Sequence, residues 1–72
     1  MRIEEVSAAM QQAVPVEFDH LGITVTGYIS ACITRFDKRR GWWYQVEVHD
    51  FKADCICIAK LDEVVVRRAD NG

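Results

Sequence analysis

The predicted fold is decided by residues 22–50, whose sequence is GITVTGYISACITRFDKRRGWWYQVEVHD. The first part alternates apolar with polar or small residues from Ile23 to Thr34, and the last part alternates again from residue 43 to 49, which is typical of strands. Between them, Asp37 suits the first position of a type I turn and Gly41 suits the left-handed conformation that closes hairpins. The stretch therefore predicts two long strands joined by a tight, cationic turn.

One register of this hairpin places apolar residues opposite each other. It pairs Phe36 with Gly41, and the remaining pairs are then Ile33 with Tyr44, Ala31 with Val46, and Ile29 with Val48. The first strand is long, and Gly27 is a natural place for a bend or bulge.

The flanking segments supply the other elements. Residues 3–12 have helical spacing, with one apolar face formed by Ile3, Val6, Met10 and Ala13, and Pro15 ends this helix. Further strands are predicted in VEFDH, CICIA and VVVR, with a single helical turn at KLDE before the last. The prediction is one mainly β (α+β) domain over 1–72: an N-terminal helix in 1–14, a five-stranded antiparallel sheet in 15–68, and a tail in 69–72.

This order of elements resembles the SH3-like β-barrel over residues 16–67. GWWYQVEV resembles the Trp-Trp strand of the SH3 family, and VEFDH is similar to its aromatic-acidic opening motif. The resemblance implies a small closed barrel. The proline and tyrosine expected before the last strand are missing from IAKLDEVVV, so only the fold is carried over, because a fold does not determine a function.

Composition limits the classes of function. The chain has 72 residues with a net charge of −2, which argues against a general polyanion binder. No apolar run approaches the roughly 20 residues that span a bilayer, and the N-terminus has acids where a signal peptide is apolar. Three cysteines, an odd number, favour free thiols. We expect a cytoplasmic protein.

The candidate site is the hairpin tip together with nearby aromatic rings. Its predicted partner-binding residues are Arg35, Lys38, Arg39, Arg40, Trp42, Trp43, Tyr44 and Tyr28. Trp43 and Tyr28 share the face opposite the aliphatic interior. Either they form an exposed apolar patch, or the N-terminal helix crosses this face and partly buries them; the small size of the chain favours the second arrangement.

No metal, cofactor or catalytic group is expected. If Ile56 and Ile58 point inward, Cys55 and Cys57 lie near His49 and Glu47, but C-x-C on one strand is not the usual chelating turn and buried cysteine is common in cores. The two histidines have no obvious nucleophile beside them. We expect that the chain is not an enzyme.

The preferred hypothesis is an accessory module that binds another protein, or a second copy of itself, through hairpin 35–44. The alternative is a nucleic-acid-binding protein of a regulator or mobile element, in which the cations contact phosphates and a ring stacks on a base. A third hypothesis is a structural subunit or inhibitor that uses its acidic residues, namely Glu4, Glu5, Glu17, Asp19, Asp62 and Glu63.

Overall fold

The computed structural model describes residues 1–67, so the predicted tail 69–72 and position 68 lie outside the described residues. The elements are helix α1 and strands β1 to β5, with one 3-10 turn before the last strand. Their bounds are α1 Ile3–Gln11, β1 Val16–His20, β2 Ile23–Asp37, β3 Gly41–Asp50, β4 Cys55–Lys60, the 3-10 turn Leu61–Glu63, and β5 Val65–Val66. Within these residues, no helix is long and apolar enough to cross a membrane.

The five strands form one antiparallel sheet in the order β4-β3-β2-β1-β5. The mainly β prediction with an N-terminal helix is therefore confirmed. The predicted barrel closure is not: β4 and β5 are the two edges of the sheet and do not pair with each other within residues 1–67. β5 has only two residues, and both pair with β1, at Glu17 and Val16.

Gly27 is the point at which β2 changes partners. It lies opposite Val16 of β1 and also opposite Asp50 of β3, and it is buried. A Cβ at this position would lie 2.6 Å from the carbonyl carbon of His49 and would overlap its oxygen. Glycine is needed because the backbone of β3 approaches β2 this closely.

A β-bulge lies at Ser30, between the pairs Ile29–Val48 and Ala31–Glu47. Gly27, named from the sequence as a place for a bend or a bulge, keeps regular pairing with both neighbouring strands. Near the turn, the register of the β2–β3 hairpin pairs Asp37 with Gly41, whereas in the core it pairs Ile29 with Val48. These two registers differ by one residue, and Ser30 is the residue left over. The predicted Ile29–Val48 pair is confirmed, but those of Phe36, Ile33 and Ala31 are wrong: their partners are Trp42, Gln45 and Glu47.

The core lies on one face of the sheet and is covered by α1. Helix residues Val6 and Ala9 are buried, whereas Ile3 and Met10 of the predicted apolar face are partly exposed. The sheet contributes the rest of the core: Val16, Phe18, Val25, Ile29, Val46, Val48 and Ala59, with Leu61 and Val64 from the segment after β4. No polar or charged residue is buried among residues 1–67.

The register of β4 sends its cysteines toward the core side of the sheet. Cys57 lies opposite Val48 and Ala59 lies opposite Val46, and both valines are fully buried. Directly opposed residues point to the same face. Ile56 and Ile58 therefore point outward and are 54% and 51% exposed. The orientation of these residues, left open by the sequence, is thus the reverse of the one that would place the cysteines near His49 and Glu47: Cys55 and Cys57 lie on the opposite face from those two residues.

The β1–β2 turn contains an unusual residue. Leu21 and Gly22 both have positive φ, 52° and 82°, as a two-residue type I′ turn requires. Leu21 is also 90% exposed. Leucine in the left-handed region is strained by about 1–2 kcal/mol, so this turn lowers stability without contributing to the core.

Replacing Gly27 should be more destabilising than replacing Gly41. Gly27→Ala forces β2 and β3 apart and should cost about 3 kcal/mol of the free energy of unfolding. In Gly41→Ala the new Cβ contacts nothing, so only the backbone φ of 76° is strained. This substitution should lower the free energy of unfolding by about 1 kcal/mol. Urea denaturation of the two variants measures the difference, and equal losses would contradict the close approach at Gly27.

Leu21→Asn should stabilise the protein by about 0.5–1 kcal/mol, because asparagine tolerates the left-handed conformation. Leu21→Ala is the matched control: it removes the exposed apolar side chain but keeps an L-residue with the same backbone restriction. The chemical denaturation midpoint should rise for asparagine and stay nearly unchanged for alanine. An equal rise in both would assign the effect to the lost leucine side chain and not to the turn.

Candidate partner-binding groove

A groove forms where β3 continues past the end of β4. The last β3–β4 pair is Gln45–Lys60, so residues 41–44 of β3 have an open edge on this side. After Lys60 the chain turns inward and buries Leu61. The resulting groove has a volume of about 520 Å³ and is lined by Met1, Ile3, Arg40, Trp43, Tyr44 and residues 60–62.

The wall opposite the hairpin is held together by the N-terminus. The ammonium group of Met1 donates hydrogen bonds to the carbonyl oxygens of Val64, at 2.7 Å, and Leu61, at 3.4 Å. This anchors the residues before α1 against the 3-10 turn, and Ile3 follows at the groove. The groove is thus built from three separate parts of the chain.

Trp43 is the central side chain of the groove and is half-buried. The guanidinium carbon of Arg40 lies 4.6 Å from the centroid of its ring, which is cation–π geometry. The indole Nε1 is buried and has no hydrogen-bond partner among the described residues. A buried donor without an acceptor costs about 1–3 kcal/mol, so an acceptor that reached Nε1 after a rearrangement of the groove would recover this cost.

The remaining cations of the hairpin are positioned differently. Arg35 Nε donates to Gln45 Oε1 at 2.8 Å across the two strands. The turn is fixed by Asp37, whose Oδ1 accepts from the backbone N–H of Arg39 at 2.7 Å, and by Gly41 at φ 76°. The predicted turn chemistry is confirmed. Lys38 and Arg39 extend into solvent at the tip.

Trp42 and Tyr44 project from the other face of β3. Trp42 is 68% exposed and packs edge-on against Phe36, with ring centroids 5.0 Å apart. Tyr44 packs partly against the core and also reaches the groove. The adjacent rings of Trp42 and Trp43 therefore belong to different surfaces, as the alternation of a strand requires.

Tyr28 does not belong to this site. It lies opposite His49, six residues along β3 from Trp43, a separation of about 20 Å. Its ring packs edge-on against Phe51, with centroids 4.6 Å apart, and it is partly exposed. Helix α1 packs on the core face, so the expected covering of Tyr28 by the helix is wrong.

Five of the eight residues that line the groove were not predicted from the sequence. Met1, Ile3 and residues 60–62 come from segments distant from the hairpin in sequence. One available signal was the difference in strand length: β3 has ten residues and β4 has six, so part of β3 must lack a partner on that side.

The pair Cys55 and Cys57 lies at the other end of β4, and all three cysteines are free thiols. Burial raises the pKa of the Cys57 thiol, and a hydrogen bond with the neighbouring Cys55 thiol and the negative charge of Asp50 raise it further. His49, on the opposite face, has its Nε2 2.7 Å from Oδ1 of the exposed Asp54.

Comparisons with protein-family models, curated proteins and solved structures found no match to this chain.

The two tryptophans should differ in solvent access. Trp42→Phe leaves half-buried Trp43, whereas Trp43→Phe leaves exposed Trp42. Acrylamide should quench fluorescence more steeply in Trp43→Phe, and the emission of that variant should lie at longer wavelength. Both variants should converge in denaturant, which serves as the control. Equal quenching of the native variants would contradict the burial of Trp43.

Proposed function

We propose that this chain is a small protein-binding module that holds an extended segment of a partner protein, apolar with acidic residues, in the Trp43 groove. The observation that carries the proposal is the groove itself, which combines an open strand edge, apolar walls and two cations at its rim. Each of these features recognises a different part of a peptide.

The open edge of β3 suits a peptide backbone. Residues 41–44 pair with β2 on one side only, so the other side offers backbone groups for a strand that continues the line of β4. Peptide recognition by strand addition uses such main-chain hydrogen bonds for affinity and adjacent pockets for specificity.

The walls suit apolar side chains. Trp43, Tyr44 and Ile3 border the same groove as Leu61, whose side chain is buried below it. Tryptophan and tyrosine in desolvated pockets dominate many interfaces, because they bury a large area with little loss of rotamer freedom.

The rim selects acidic partners. Arg40 and Lys60 flank the groove against a single acid, Asp62. Lys38 and Arg39 at the tip add positive charge, so that the hairpin attracts acids although the whole chain has a net charge of −2. Such a patch raises the association rate and orients the partner more than it adds affinity.

Trp43 offers the specific contact. Its buried Nε1 has no acceptor among the described residues, and Arg40 covers the ring. Displacement of Arg40 toward a partner carboxylate would open the ring to a partner carbonyl oxygen. A carboxylate of the peptide would then pair with Arg40, and a backbone carbonyl oxygen would accept a hydrogen bond from Nε1 of Trp43.

We further propose that the fold is a variant of the SH3-like barrel. The order of the strands and the 3-10 turn before the last strand support this, as does the long β2 that pairs with both β1 and β3. The N-terminal helix and the open sheet are departures from it.

Nucleic acid is a weaker candidate for the same hairpin. The net charge of −2 argues against non-specific phosphate binding, and Nε of Arg35 is already engaged with Gln45, which leaves fewer hairpin donors free for phosphate contact. Self-association through the hairpin would require the positive tips to approach each other.

The experiment is selection of a random peptide display library on the wild-type protein. Enriched sequences should carry acidic residues beside an apolar one, and synthetic copies should bind with micromolar affinity, typical of small interaction modules. Trp43→Ala and Arg40→Glu should each reduce that affinity at least about tenfold. Lys52→Glu, a matched charge reversal on the β3–β4 turn, should leave it unchanged.

Four outcomes would overturn the proposal. One is the absence of enriched peptides. Another is equal binding by wild type and Trp43→Ala, with circular dichroism showing that the variant folds. The third is binding of a labelled single-stranded oligonucleotide that weakens steeply between about 50 and 200 mM salt, as counterion release requires. A concentration-dependent mass in sedimentation that Arg40→Glu abolishes would identify self-association instead.

A further inference from the structure

The β3–β4 turn brings together three side chains that are metal-ligand types. Asp50, the last residue of β3, lies directly opposite Cys55, the first residue of β4. Cys57 is two residues further along and points to the same side, as strand alternation requires. Among residues 1–67, this is the one group of three such side chains whose ligand atoms lie close together.

The distances are near those of a tetrahedral site. One carboxylate oxygen and the two Sγ atoms all lie within 4.8 Å of one another. Two thiolates bound to one zinc ion at about 2.3 Å are about 3.8 Å apart. Rotation about the side-chain bonds can bring the ligand atoms to these shorter distances, because the cluster is at the surface: Cys55 is exposed and Cys57 is half-buried.

We propose that Asp50, Cys55 and Cys57 form a binding site for a thiophilic divalent cation of the Zn²⁺ class, with a fourth position open to water or to a ligand from a partner. Two thiolates and one carboxylate match the donors that zinc accepts. Calcium and magnesium prefer sites made only of oxygen ligands, so the two sulfur atoms select against them. Binding releases the two thiol protons, since the thiolate is the form that binds metal.

The carboxylate is already oriented toward such a role. Oδ1 of Asp50 accepts hydrogen bonds from the backbone N–H groups of Lys52, at 2.8 Å, and Ala53, at 3.4 Å. These bonds hold the side chain in one position, and Oδ2 accepts no hydrogen bond from the described residues. Asp50 is thus held in place before a metal binds, whereas the thiols of Cys55 and Cys57 can still adjust their positions.

Packing alone does not explain the cysteines. Cys57 fills part of the core face, but Cys55 is exposed on an edge strand, where it fills no space in the core. A metal bound here would join the end of β3 to the beginning of β4 across the turn. It would therefore stabilise the hairpin pair that borders the peptide groove at its opposite end.

The test uses the full chain, kept reduced with a reductant that contains no thiol. Zn²⁺ is titrated in competition with a chromophoric chelator, and Co²⁺ is added separately as a spectroscopic probe. We expect one ion per chain, a thiolate-to-cobalt charge-transfer band, and a rise in melting temperature with Zn²⁺ but not with Mg²⁺.

Three variants assign the ligands and one is the control. Cys55→Ser and Cys57→Ser should each weaken Zn²⁺ binding more than about tenfold, because a neutral hydroxyl replaces a thiolate. Asp50→Asn keeps an acceptor for the turn and should weaken binding less. Cys32→Ser removes an exposed thiol on β2, outside the cluster, and should leave affinity and the cobalt spectrum unchanged.

The proposal is overturned if Cys55→Ser binds Zn²⁺ as tightly as wild type, or if Cys32→Ser weakens binding by the same factor. Absence of the charge-transfer band in the wild type overturns it as well. Circular dichroism without metal shows whether each variant folds. If half-buried Cys57→Ser does not fold, Cys55→Ser and Asp50→Asn decide the result alone. None of these measurements depends on the peptide groove.

Discussion

The structure depends on one strand serving two partners. Up to Gly27, β2 pairs with β1, and from Gly27 onward it pairs with β3. This is possible only because β3 can approach the backbone at a residue without a Cβ. Val16, Ile29 and Val48 from these two pairings lie in one core, to which α1 adds Val6 and Ala9.

Both candidate sites follow from the pairing of β3 with a shorter strand. β4 pairs with β3 only over residues 45–50. At one end of this pairing, the unpaired part of β3 borders the groove that contains Trp43 and Arg40. At the other end, the turn brings Asp50 opposite Cys55. The same register that places Cys57 beside Asp50 also ends at Lys60 and so opens the groove.

The sequence predicted the elements well and their faces only in part. The helix, the turn chemistry of Asp37 and Gly41, and the 3-10 turn follow from local signals, and these were confirmed. The register of the long hairpin was wrong beyond Ile29, because turn and core demand registers that differ by one residue and nothing local shows that Ser30 absorbs the difference. Which side chains of β4 point toward the core depends on its pairing with Val46 and Val48 of β3, and this pairing is also not visible in the local sequence of β4. Sheet closure was not confirmed.

The candidate site was predicted as a cluster of cations and rings, and the structure divides that cluster. Arg40 and Trp43 meet in a groove, Trp42 turns to the other face, and Tyr28 lies far along the sheet. Alternation along β3 separates the two tryptophans, and this was available from sequence. The contributions of Met1 and Leu61 were not, since they depend on how distant segments of the chain meet.

The bulge at Ser30 also marks the boundary between the part of the sheet that lies in the core and the outer hairpin ribbon, residues 30–45. Between Ile29 and Val46 no residue is fully buried, and apart from the partial packing of Tyr44 against the core this ribbon is held by backbone hydrogen bonds and surface contacts. Segments of this kind undergo local opening at a lower free energy than global unfolding. Opening of the ribbon would therefore leave the helix-covered core intact, and amide hydrogen exchange should be faster in residues 30–45 than in the strand segments that pack against the helix.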